Sequence, residues 1–367
     1  MRLNHKQRVI AALGKQPVDR VPIFMWFHPE TARKLSRLLD IPVSAVSEAM
    51  GNDIQQTWVN NNFAMEGVEH ERDGETHIDW WGITWEKRHG FNQISKSPLA
   101  GASREQVLAY QFPADRRDEL LALMDPVLRD RRDFFIGCDV SPCVFEMYWR
   151  LRGMEDGMTD IAGGPELAFE MFHRCADFAI DLGTAACDRF ALDWYWTGDD
   201  AGGQRTMMMS PKHWRALVKP NLQRVIEVGA SRGLPVAFHS CGAVRPIIPD
   251  LIEIGVNILN PIQSNCPGMK SSELKSEYGS DLAFMGGVDT QEMLPNATAA
   301  EVQRATEELI GCMTADGGGY ILAASHTISP ETPDENIFAM YEAAGVSKAE
   351  IFDCAATLRV RMAAASH

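Results

Sequence analysis

No stretch of the chain reaches the roughly 18 consecutive apolar residues that would span a bilayer, and Met1-Arg-Leu-Asn-His-Lys6 leads into an amphipathic segment instead of a secretory apolar core. Both absences point to a cytoplasmic protein without a membrane partner. Clustered Lys and Arg are missing too. The 35 basic residues stand against 50 acidic ones, a formal net charge of −15, which opposes binding to nucleic acid, where clustered cations must release counterions. Eight cysteines at 138, 143, 175, 187, 241, 266, 312 and 354 lack the dense spacing of a disulfide framework, so reduced thiols are expected. No GxGxxG or GxxxxGK[ST] pattern follows an apolar run, which argues against a dinucleotide-binding or P-loop sheet. Internal repeats and low-complexity linkers are also absent, and residues 1–367 read as a single domain.

What remains is a chain of 367 residues, 45% hydrophobic and 23% charged, long enough for one large α/β barrel. His5 to Leu13 has helical periodicity, stops near Gly14, and feeds the apolar run Ile23-Phe-Met-Trp-Phe27 through Pro17-Val-Asp-Arg-Val-Pro22. Segment 66–92 alternates polar and aromatic residues, with Gly74 and Gly82 as breaks, and predicts a β-hairpin excursion. Further on, short apolar runs at Phe134–Cys138, Phe190–Trp196, Val236–His239, Ile258–Ile262, Leu282–Val288 and Tyr320–Ala324 alternate with helical patterns at Pro211–Ser231, Val244–Ile254 and Ala299–Ala315. The expected fold is an α/β (β/α)8 TIM barrel with an N-terminal helical segment and that hairpin.

Chemistry in such a barrel gathers at the C-terminal ends of the strands. Those ends carry Trp26 and His28, Asp139, Asp199 and Asp200, His239 and Cys241, Asn260 and Gln263, Asp289, and His326. Any one Asp among them is equally well a helix N-cap. His239 and Cys241 are two apart on a strand, so both side chains point to one face, and imidazole with thiolate is a donor pair that zinc favours. Taken alone the pair has two readings, a metal site or a structural pair packed in the core, and core packing is the commoner. His326, after the last apolar run, supplies a candidate third ligand and leaves one open position, the arrangement of a catalytic zinc. Nine tryptophans are many for one chain, and Trp26, Trp58, Trp80, Trp81, Trp85, Trp194 and Trp196 fall near the expected barrel mouth. They would suit an aromatic or methylated cationic substrate, although core packing accounts for most tryptophans.

At these residues the chain resembles the uroporphyrinogen decarboxylase superfamily, and within it the cobalamin-dependent methyltransferases that act with a corrinoid protein. The resemblance spans most of the chain. It rests on Arg8-Val-Ile-Ala-Ala-Leu13 with Pro17-Val-Asp-Arg-Val-Pro22, Gly198-Asp-Asp-Ala-Gly-Gly-Gln204, Phe238-His-Ser-Cys-Gly242, Asn260-Pro-Ile-Gln263, Gly286-Gly-Val-Asp-Thr-Gln291 and Pro330-Glu-Thr-Pro-Asp-Glu-Asn336. The decarboxylase proper holds its carboxylates with an Arg-Gln-Ala-Gly-Arg run; here that place reads Trp26-Phe-His-Pro-Glu30, which has no Arg fork. The methyltransferase branch carries a His-x-Cys pair and a later Cys as zinc ligands. His239 and Cys241 match the pair, while His326 stands where the later Cys would be.

The resemblance implies a zinc-dependent methyltransferase moving a methyl group between a small methylated substrate, such as a methoxylated aromatic undergoing O-demethylation, and the corrinoid of a partner protein. One fewer anionic ligand strengthens the Lewis acid, which favours a methyl donor over a thiol acceptor. Since the chain has no Asp-x-His-x-x-Gly corrinoid anchor, the cobalamin would arrive on a corrinoid-binding partner. His239, Asp199 and Asp289 are the candidate catalytic residues, with the two Asp as general acids. Trp26, His28, Glu146, Trp196, Asp200 and Gln263 are candidates for substrate binding or for supporting the metal ligands. The alternative is a metal-independent decarboxylase or lyase of the same fold, with His239 and Asp289 as acid and base. Nothing in the sequence fixes the oligomeric state, and a homodimer is compatible with it.

Overall fold

The computed structural model describes residues 3–60, 70–128 and 133–365. Seven strands form one parallel sheet that curls toward a barrel. They are β1 (Ile54–Trp58), β5 (Phe135–Asp139), β6 (Trp194–Gly198), β7 (Val236–His239), β8 (Ile258–Ile262), β9 (Ala283–Val288) and β10 (Tyr320–Ala324), neighbours in that order. Strand alternation sends Ile54, Phe135, Trp194, Trp196, Ala237, Ile258, Met285, Ile321 and Ala323 into one interior cluster with Phe24. Trp194 and Trp196, ring centroids 5.0 Å apart, fill much of that interior, so the concave side of the curled sheet is packed with side chains.

The run Ile23–Phe27, expected as a strand, forms only isolated parallel bridges, Ile23 to Leu322 and Phe27 to Ile328. It lies between β10 and the start of β1 and occupies the eighth position of the curl. On the β1 side its N–H groups go to side chains, Ile23 to Asp53 Oδ2 at 2.8 Å and Met25 to Asn52 Oδ1 at 3.3 Å, so no regular ladder forms there. The strand that sequence reading passes over is β1. Its residues Ile-Gln-Gln-Thr-Trp are too polar for an apolar run, because inward-facing Gln56 accepts the Trp194 indole N–H at 3.0 Å.

The N-terminal helix His5–Leu13 begins at Asn4, whose side chain caps Gln7 N–H while Gln7 caps Asn4 in return. Its buried Arg8 donates to Asp53 at 2.6 Å and to both Asp19 oxygens at 2.7 and 2.9 Å. Arg20 and His5 also reach Asp53, at 2.7 and 2.8 Å. The Arg8 and Asp19-Arg20 motifs therefore pin the helix under the barrel by satisfying one fully buried carboxylate.

The excursion is an antiparallel sheet of three strands, β2 (Thr76–Ile78), β3 (Thr84–Arg88) and β4 (Phe91–Lys96), so it runs further than a hairpin ending at 92. Residues 66–69 of the expected hairpin lie outside the described residues. Asp79 folds the β2–β3 turn by accepting from the N–H groups of Trp81 and Ile83 and from the Trp85 indole. No helix among the described residues is long and apolar enough to cross a membrane.

Candidate metal centre

The loops after β6 and β7 are laced together, and that lacing builds the site. Asp199 N–H donates to the His239 carbonyl at 2.9 Å, Ala201 N–H to Ser240 Oγ at 3.0 Å, and Cys241 N–H to Asp200 Oδ1 at 2.8 Å. Gly202 and Gly242 allow the approach. A Cβ on Gly202 would stand 2.4 Å from the Cys241 carbonyl oxygen, and one on Gly242 (φ +82°) would stand 2.6 Å from Gly203 O.

This contact places three different donors together. His239 Nε2 is 3.5 Å from Cys241 Sγ and 3.7 Å from Asp200 Oδ1, and the donor atoms of all three residues fall within 4.8 Å of one another. Ligands about 2.0 to 2.3 Å from one tetrahedral zinc ion stand roughly 3.3 to 3.8 Å apart, which the 3.5 and 3.7 Å separations from His239 match. The chemistry of the set agrees. His239 Nδ1–H donates to Asn260 Oδ1 at 2.6 Å, which leaves the Nε2 lone pair for the cluster. Burial and the Asp200 charge push the Cys241 thiol well above its ordinary pKa, so a cation is what would bring it to the thiolate form. The residues present therefore fit a zinc ion.

Asp200 and His239 line a cavity of about 1070 Å³ at the C-terminal ends of the strands. Trp26, His28, Trp58, Lys87, Phe91, Ser141, Glu146, Arg150 and His326 also line it. His326 is exposed there and sits close enough to His239 and Asp200 to feel both charges, but it lies outside the three-residue cluster; the third donor is Asp200, from the loop after β6. Glu146 accepts the Asp200 N–H at 3.1 Å and pairs with Arg150 at 2.6 Å, so it holds the Asp200 backbone. His28 caps the helix Pro29–Leu39 through Nδ1 and packs on Phe91, and burial lowers its pKa.

Cys241 stands behind His239 and does not itself line the cavity, and four other candidates do not line it either. Asp199 is fully buried and caps the helix Phe145–Arg152, accepting from the N–H groups of Val144, Phe145 and Glu146 at 3.2, 3.0 and 2.8 Å. Its burial raises the carboxyl pKa to about 7, assisted by the Glu146 charge and opposed by those N–H groups. Asp289 closes its own turn by accepting from Gln291 and Glu292, and the structure does not bring it to the cavity beside His239. Gln263 accepts the Gly242 N–H at 2.8 Å and so holds the loop behind Cys241. Trp196 is interior packing, its ring centroid 6.4 Å from that of His239. Of the seven tryptophans placed near the mouth, Trp26 and Trp58 line the cavity, while Trp81 and Trp85 are core residues of the excursion and Trp80 lies beneath Arg116. Asn260 was the orienting residue to find. The signal for it is register, since it is directly paired with His239 across β7 and β8.

Residues 133–345 match the sequence profile of the uroporphyrinogen decarboxylase (URO-D) family. The chain belongs to the URO-D family. The match takes in β5 to β10 and hence Asp200, His239, Cys241 and His326. Among solved structures, a methyltransferase from Methanosarcina mazei has a TM-score of 0.70 at 19% identity, with 94% of this chain and 99% of that chain covered. An α-L-fucosidase isoenzyme 2 from Paenibacillus thiaminolyticus follows at TM-score 0.43 and 11% identity, covering 90% and 50% of the two chains. A sugar phosphate isomerase/epimerase from Parabacteroides distasonis has TM-score 0.41 and 8% identity, covering 91% and 98%. No curated protein matches the sequence. What this URO-D family member shares with the M. mazei enzyme is the fold.

Proposed function

We propose that the protein is a zinc-dependent methyltransferase that moves a methyl group between a small methylated substrate and the corrinoid of a partner protein. The observation that carries the reading is the Asp200, His239 and Cys241 cluster, of which Asp200 and His239 reach the wall of a cavity of about 1070 Å³. The cluster would hold zinc, with His326, two residues past β10, lining the same cavity. A bound zinc ion supplies Lewis acidity to the oxygen or other leaving atom of the substrate. Asn260 holds the His239 ring in the tautomer with a free Nε2, and Glu146 fixes the Asp200 backbone. Trp26, its ring centroid 5.8 Å from that of His239 and 6.1 Å from that of Trp58, gives a flat apolar wall beside the polar cluster. That pairing suits a methoxylated aromatic, ring against tryptophan and methoxy group toward the cluster.

Two further points support a methyltransferase within this family. The cavity wall at Trp26-Phe-His-Pro-Glu30 carries no Arg, and of the two arginines elsewhere in the lining, Arg33 and Arg150, the second is paired with Glu146. The M. mazei methyltransferase shares the fold over nearly its whole length, and its reaction class is carried over here as part of the proposal. The test is to incubate zinc-loaded protein with a panel of methoxylated aromatics and reduced cobalamin, free or on a corrinoid-binding protein, and to follow the corrinoid spectrum. Donor-dependent methylation is expected in wild type and absent in Cys241→Ala; no methylation from any methylated donor overturns the proposal.

A further inference from the structure

Asp139 ends β5 and faces the barrel interior with Phe135. It is fully buried, and among the described residues no cation pairs with it. Its Oδ1 accepts the Ser141 N–H at 2.7 Å and lies 2.5 Å from Ser141 Oγ, while Oδ2 has no hydrogen-bond partner. An ionised carboxylate in that setting is costly, and the neutral acid is the stable form. Burial, helped by the Glu146 charge, lifts the Asp139 pKa well above the carboxylate range against the pull of the Ser141 hydrogen bonds.

Ser141 is half-buried and lines the same cavity as Asp200 and His239. A hydroxyl has one hydrogen and two lone pairs. Ser141 can thus accept a hydrogen bond from the Asp139 acid and donate its own hydrogen into the cavity. The arrangement resembles a buried acid reached only through a hydroxyl.

Resting on the methyl-transfer reading above, we infer that Asp139 and Ser141 form a proton relay to the leaving oxygen, and that the substrate is a methyl ether. Ser141 is the group that touches substrate; Asp139 is a positioning residue that recharges it. The methyl carbon–oxygen bond breaks with its electron pair left on oxygen. That oxygen takes the Ser141 hydrogen, and Ser141 takes the Asp139 proton. The reduced corrinoid of the partner contributes the electron pair for the new bond to the methyl carbon, and water returns a proton to Asp139 after the product leaves. A quaternary amine departs neutral and needs no such proton, which is why the pair selects the ether class.

Infrared spectra of the full chain at pH 7 test the relay without any turnover. Wild type should show the carbonyl band of a neutral buried carboxylic acid, lost in Asp139→Asn and shifted in Ser141→Ala. A carboxylate signal in wild type, with no neutral-acid band assignable to Asp139, overturns the relay. In turnover, Ser141→Ala should lower kcat for a simple methoxyarene by about 10²- to 10⁴-fold with little change in KM. The loss should shrink as the departing phenol becomes more acidic; a loss independent of phenol acidity, or no loss, contradicts the relay. If Asp139→Asn does not fold, Ser141→Ala carries both readouts. Wild type that shows the acid band yet methylates no corrinoid from any donor overturns the function proposed above, which separates the two failures.

Discussion

At the scale of single residues, the roles of Asn260 and Asp199 are set by what their side chains touch. Asn260→Leu removes the acceptor that holds His239 Nδ1–H, so zinc affinity should fall about 10- to 100-fold, measured by competition with a chelator. Asp199→Ala should act differently. It strips three backbone N–H groups of their acceptor at the start of the helix Phe145–Arg152 and should cost roughly 1 to 3 kcal/mol in denaturant unfolding, with zinc content retained. Asp199 and Asp200 are adjacent in sequence yet point to opposite tasks, one capping a helix and one joining the donor cluster. The nearness of His239 and Cys241 was legible from their spacing, but the expected strand alternation is not its cause, since β7 ends at His239 and Cys241 sits in the loop held by Asp200. Asp200 was not legible as their partner, since its nearness depends on contacts between two loops about forty residues apart.

At the scale of elements, the glycine contact between the β6 and β7 loops holds the cluster together. Gly202→Ala places a Cβ against the Cys241 carbonyl, so the loops must part and zinc should be lost even though no ligand is changed. Circular dichroism should meanwhile remain near that of wild type. The apolar runs announced β5 to β10, because strands covered on both faces are apolar throughout. β1 escaped that criterion, whereas the run Ile23–Phe27 met it and yet forms only isolated bridges. β1 uses Gln56 to satisfy a buried indole, and the segment takes its hydrogen bonds from Asp53 and Asn52 side chains. The tryptophans misled for a related reason. A large ring near a strand end packs inward or outward according to strand phase, and the position of the excursion decides which rings see the cavity.

The ion network under the N-terminal helix makes an element-scale prediction about acid. The hydrogen bond from Arg8 holds Asp19 below the usual carboxylate range. Burial opposes ionisation of Asp53, but hydrogen bonds and charge from His5, Arg20 and Arg8 outweigh it and lower its pKa as well. Carboxylates with folded pKa values below their unfolded ones contribute stability in full above the unfolded value, near 3.9, and lose it as pH falls toward the folded value. Wild-type Tm should therefore drop more steeply below about pH 4 than that of Arg8→Ala. At pH 7 that variant should be less stable by about 3 to 5 kcal/mol, because one partner of a buried ion pair is gone. Equal slopes for the two proteins would contradict the network's role.

At the scale of the whole molecule, the cavity has two walls of different origin. Asp200, His239, His326, Ser141 and Glu146 come from the region that matches the URO-D family. Trp26, His28, Trp58, Lys87 and Phe91 come from the N-terminal part outside that match. The donor cluster thus belongs to the family region, and the aromatic lining beside it to the N-terminal part, which under the proposed function is where substrate choice would be written. Saturating zinc should also stabilise the fold, by about 2.7 kcal/mol at a free concentration 100 times the Kd, and so raise Tm in wild type.

The central claim is that Asp200, His239 and Cys241 together hold a metal ion. It is tested most directly by metal analysis of wild-type protein and of Asp200→Ala, His239→Ala and Cys241→Ala after equilibration with zinc and removal of the free ion. About one zinc per wild-type chain is expected, with loss of it from the His239 and Cys241 variants and weaker retention in Asp200→Ala. Wild type without retained zinc, or variants that keep it, would contradict the account.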